Sequence, residues 1–82
     1  MSGPVTIRRL PLTAEAIRFT GDNATLIADW AGPDATLEGG QLVIHTPQGD
    51  MTPIIGEWVI NGVADEFYPI TTKAFDAGWE IL

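Results

Sequence analysis

The sequence predicts an α+β protein, a small curved and mostly antiparallel sheet or partial barrel with one principal helix, in a single domain spanning residues 1–82. Short runs of alternating apolar and polar residues, each bounded by Gly, Pro or Asn, predict strands. Only ATLIADWAG has a strong helical spacing of apolar residues. Asn61-Gly62, set between two alternating runs, is the strongest short hairpin signal a sequence offers. Each element has one apolar face to cover, and a helix laid over a bent sheet covers them all.

In chain order, Glu15–Phe19 alternates as a short strand, with Ala16 and Arg18 on one side and Ile17 and Phe19 on the other. Gly21 ends it, and Asp22 or Asn23 is placed to cap a helix in which Leu26, Ile27 and Trp30 share a face. Gly32-Pro33 stops that helix. DATLEGG reads as a turn-rich connection into the strand QLVIHT, where Leu42 and Ile44 oppose Val43 and His45. Pro47-Gln48-Gly49-Asp50 is a turn leading to a short segment at Met51–Ile54.

A two-residue turn at Asn61-Gly62 sets Ile60 opposite Val63, Val59 opposite Ala64, Trp58 opposite Asp65 and Glu57 opposite Glu66. Trp58, Ile60, Val63 and Phe67 then share the core face, and Glu57, Val59, Ala64, Glu66 and Tyr68 the other. Pro69 ends the second strand. A helical turn at Thr72–Asp76 and a last strand at Trp79–Leu82 follow. The expected core is Phe19, Leu26, Trp30, Ile44, Trp58, Ile60 and Phe67.

Composition excludes several function classes. The chain lacks Cys, which removes disulfides, thiolate metal sites and a Cys nucleophile. A net charge of −7 with four basic residues opposes direct nucleic-acid binding. No run reaches the ~20 apolar residues of a membrane span, and MSGPVTIRRLPLT lacks the apolar stretch of a signal peptide. A cytoplasmic protein without cofactors is expected. A chain of this size buries only roughly 60–65% of its unfolded surface. With 45% hydrophobic residues, some apolar surface is then left for self-association, and a homo-oligomer through a strand edge or the terminal WEIL is expected.

The catalytic inventory is small. His45 is the lone imidazole, and the hydroxyl nearest in sequence, Thr46, points to the opposite face of its strand. No phosphate-cradling loop, zinc-binding His pair or nucleophile elbow is present. The one unusual feature is the expected pairing of Glu57 with Glu66, beside Trp58 and Tyr68. Solvation, a bulge that shifts the pairing, neutralisation by Arg8, Arg9, Arg18 or Lys73, or a site that binds a hard cation such as Ca²⁺ or acts as an acid and base all fit such a pair. Glu57, Trp58, Glu66 and Tyr68 are therefore the candidate binding residues, with no catalytic or metal residue among them.

The run GEWVINGVADEFYP, followed by Phe75 and Trp79-Glu80, resembles the C-terminal signature of a family of small tailed-bacteriophage proteins. EAIRFTGDN and HTPQGDM resemble that family's upstream half, so the likeness covers residues 14–82. Asp65 stands where the family usually carries Gly, and Ile70-Thr71-Thr72-Lys73 replaces a more polar connection. The resemblance implies a phage origin rather than a mechanism. The expected role is a non-catalytic phage accessory or binding protein making contacts with host or phage proteins in the host cytoplasm. The alternatives are a small-molecule or nucleotide-sequestering anti-defence protein and a minor virion component.

Overall fold

The computed structural model describes residues 14–62 and 66–81. The strands are β1 (Glu15–Arg18), β2 (Ala35–Glu38), β3 (Gln41–Thr46), β4 (Gly49–Met51), β5 (Trp58–Asn61) and β6 (Phe67–Ile70). Helix α1 is Ala24–Ala31, followed by a single 3-10 turn at Gly32–Asp34, and α2 is Thr72–Gly78. The α+β class with one principal helix is as expected. The strands divide into two three-stranded antiparallel sheets, ordered β1-β5-β6 and β2-β3-β4, and do not close into a barrel.

Three segments depart from their expected state. Gly49 and Asp50 belong to β4 with Met51 rather than to the turn, which leaves Pro47-Gln48 as a two-residue loop, and 52–54 form no strand. DATLEGG is not only a connection: Ala35–Glu38 is β2, paired with β3 so that Glu38 faces Gln41 and Thr36 faces Val43. Gly39 and Gly40 form the two-residue loop with φ of 60° and 81°, the double positive φ that a type I′ hairpin demands. At the other end, Trp79–Ile81 forms no strand. Trp79 instead closes α2, its N–H donating to the Phe75 carbonyl.

The largest correction concerns β5 and β6. Asn61 lies within β5, and the strands pair Asn61 with Phe67, Ile60 with Tyr68, Val59 with Pro69 and Trp58 with Ile70. The Gly62 N–H donates to the Glu66 carbonyl, continuing the ladder past the expected turn. Val63, Ala64 and Asp65, the expected partners, lie outside the described residues. Gly62 has no positive φ, and its lack of a side chain serves another purpose. A Cβ there would stand 2.7 Å from Tyr68 Cε1, so the glycine makes room for the tyrosine ring.

This register sorts the side chains differently from the expectation. Phe67 shares a face with Val59 and Asn61, while Trp58 and Ile60 share the opposite face with Tyr68 and Ile70. The first face joins Ile27, Ala31, Ala35, Leu42 and Ile44 in one buried cluster that ties both sheets to α1. Trp30 meets Phe67 edge-on at 5.0 Å. On the second face Ile60 is buried, and Trp58 stacks flat on Phe75 of α2 at 4.1 Å. Strand β5 is thus covered on both sides.

Helix α1 is rotated relative to expectation. It points Ile27 and Ala31 inward, with Ala24, Ala28 and Trp30 packed beside them, and leaves Leu26 58% exposed. The spacing 24, 27, 28, 31 makes a narrower stripe in which alanines allow the helix to approach β2 and β3 closely. Asn23 precedes α1 but does not cap it through its side chain. Its Oδ1 accepts from Thr20 N–H and its Nδ2 donates to the Arg18 carbonyl, which fixes the β1–α1 connection. Thr71 does cap α2, accepting from Ala74 N–H at 3.1 Å.

Ile44→Ala, at a fully buried site between α1 and the β5-β6 pair, is expected to cost about 2–5 kcal/mol. Leu26→Ala should stay within about 0.5 kcal/mol. Urea unfolding of the two variants checks the rotation of α1, which is wrong if Leu26→Ala is the more costly change.

Candidate functional site

The structure disperses the expected site. Glu57 and Glu66 lie at opposite ends of the β5-β6 pair, since Glu66 sits across from Gly62. Five strand positions separate 57 from 62, roughly 17 Å. Glu57 shapes a turn: its Oε1 accepts from Ile54 N–H at 2.9 Å. Trp58 stacks on Phe75, and Tyr68 covers Gly62, diagonal to Trp58 on the same face. Glu66 is exposed. Glu57, Trp58 and Tyr68 therefore have structural tasks, and no carboxylate pair forms between Glu57 and Glu66.

Two other constellations emerge. The first is an apolar turn. Ile54 and Ile55 are 68% and 70% exposed, yet the backbone around them is closely held. Glu57 N–H donates to the Ile54 carbonyl at 3.0 Å, and Gly56 at the third position has φ of 101°, as a type II turn requires. Gly56 N–H donates to the Phe19 carbonyl, and Phe19 N–H to the Glu57 carbonyl, both at 2.8 Å. The Thr72 hydroxyl donates to the Gly56 carbonyl at 2.6 Å. Gly21 provides a seat for Ile55, since a Cβ there would lie 2.9 Å from Ile55 Cδ1.

The second is a polar row across the β2-β3-β4 sheet. His45 Nδ1 lies 2.7 Å from Asp50 Oδ1, directly across the β3-β4 pair. On the other side His45 Nε2 lies 3.0 Å from the Thr36 hydroxyl, which is 2.9 Å from Glu38 Oε2. The sequence hides this row because DATLEGG, which holds β2, has the composition of a connection. A hairpin at Gly39-Gly40 places Thr36 across from Val43 and diagonal to His45, and the glycine pair was the signal that would have shown it.

The order carboxylate, imidazole, hydroxyl is that of an acid-base relay. Here, however, the Asp50 side chain is two-thirds exposed and that of His45 about one-third, so water is not excluded. The hydrogen bond to Asp50 outweighs desolvation and, with the charges of Asp50, Glu38 and Asp34, raises the His45 pKa above its ordinary 6.5. Among the described residues no group of three or more His, Asp or Glu is placed to hold a metal ion, and no helix is long and apolar enough to cross a membrane.

A folded-state pKa above the unfolded value makes the His45 contribution complete below about 6.5 and progressively lost as pH rises through the folded value. The melting temperature is expected to fall across that window, and His45→Gln to flatten the decline. A wild-type profile that His45→Gln leaves unchanged would exclude this linkage.

Comparison with protein-family models, with curated proteins and with solved structures finds no match to the chain.

Proposed function

We propose that this chain is a non-catalytic binding protein of phage origin that engages a host or phage protein in the host cytoplasm through the Ile54–Ile55 turn. The observation that carries this reading is the pairing of high exposure with a fixed backbone. Two adjacent isoleucines project from a turn held by hydrogen bonds to Phe19, Glu57 and Thr72. Exposed apolar groups of this kind mark contact surfaces, and a preformed turn reduces the ordering entropy that binding costs. The likeness of GEWVINGVADEFYP to a phage signature supports the origin. Self-association, expected from the apolar composition, would use the same turn or a sheet edge such as β1.

The test is affinity capture from infected-host extract, together with sedimentation of the purified protein at tens of micromolar. The double variant Ile54→Ser, Ile55→Ser should lose the captured partner, or its own dimer, by at least about tenfold in affinity, the equivalent of 1.4 kcal/mol. Its melting temperature should stay near the parent's. Undiminished capture and self-association by a folded variant would defeat the reading.

A further inference from the structure

The polar row on the β2-β3-β4 sheet is not used by the binding role, and in it the Thr36 hydroxyl stands between two partners. The Thr36 hydroxyl has one hydrogen and can accept through its lone pairs. Its oxygen lies 3.0 Å from His45 Nε2 and 2.9 Å from Glu38 Oε2, so the single hydrogen serves one of them at a time. When His45 carries both ring protons, Nε2–H donates to Thr36, and the hydroxyl hydrogen turns to the Glu38 carboxylate. When His45 is neutral, its remaining hydrogen stays on Nδ1, where the Asp50 oxygen at 2.7 Å would otherwise face a lone pair. Nε2 then accepts from Thr36, and Glu38 loses its donor.

We propose that Asp50, His45, Thr36 and Glu38 form a proton-gated switch on the exposed face of this sheet. One proton bound at His45 closes a continuous chain of hydrogen bonds from Asp50 on β4 to Glu38 on β2. Its loss reverses the Thr36 hydroxyl and frees the Glu38 carboxylate beside the Gly39-Gly40 turn. The face also gains one negative charge. The charged groups acting on His45 are Asp50 across the β3-β4 pair, Glu38 on β2 and Asp34 in the turn before β2, all acidic and all favouring the closed state. The closed chain has charged groups at both hydrogen bonds to Thr36, which strengthens them relative to the single neutral bond of the open state.

A nucleophile-and-base pair would have the opposite polarity, with Thr36 donating to Nε2 and stabilising the neutral ring. The two assignments differ in sign. In an NMR titration of the His45 ring, the lone imidazole of the chain, Thr36→Val should lower the His45 pKa, and Thr36→Ser should keep the parent value. Glu38→Gln should lower it in the parent and by a smaller shift in the Thr36→Val background, because Glu38 acts partly through the hydroxyl. A His45 pKa that rises or stays unchanged in Thr36→Val, or a Glu38→Gln shift equal in both backgrounds, would overturn the switch.

Discussion

The register of β5 against β6 is the constraint on which the rest of the structure depends. Side chains alternate across a strand, so moving the pairing by an odd number of positions exchanges the faces of one strand relative to the other. The observed pairing brings Phe67 beside Val59 and Asn61, and Tyr68 beside Ile60. Only this sorting puts Phe67 against Trp30 of α1 and leaves Trp58 free to stack on Phe75 of α2. The Gly62 to Glu66 hydrogen bond defines a hydrogen-bonded pair, and strict alternation then makes Val59–Pro69 a non-hydrogen-bonded pair. Proline costs nothing there: its missing N–H would have pointed to the outer edge, and β6 is an edge strand.

From this pairing follow both the core and the surface. Strand β5 is central in its sheet and buried on both sides, with Val59 toward α1 and the second sheet and Ile60 on the face that α2 partly covers. Its N-terminal end is therefore fixed, and the turn before it inherits that rigidity through Phe19 of the β1 side and Thr72 at the start of α2. The exposed isoleucines stand on an irregular segment anchored by hydrogen bonds to Phe19 and Thr72. The β2-β3-β4 sheet meets this body through Leu42 and Ile44 and turns its polar row away from it.

Much of the fold was legible in the sequence where local signals and tertiary packing agree. QLVIHT alternates and is β3 as expected; Gly32 and Pro33 end α1; the helical turn expected at Thr72–Asp76 is α2, which runs on to Gly78. The reading failed where the two conflict. Asn61-Gly62 has strong turn chemistry, but the chain there gains more by burying Val59 and Phe67 on one face and seating Tyr68 over Gly62. Gly39-Gly40 carries the hairpin chemistry instead, hidden because ATLE has few β-branched residues. The candidate site inherited the wrong register, which alone had set Glu57 against Glu66. Thr36 and Asp50 escaped notice for the complementary reason, since only a pairing across three strands brings them to His45.

The most direct test of this account is the backbone contact of Val59. In a non-hydrogen-bonded antiparallel pair the Cα atoms approach to about 4.5 Å, close enough for a strong Hα–Hα Overhauser effect. The pairing described predicts that effect between Val59 and Pro69, and a second between Asn61 and Phe67. A Val59 to Ala64 contact in their place would restore the two-residue turn, return Phe67 to the face of Trp58, and contradict the assignment of both faces of the sheet.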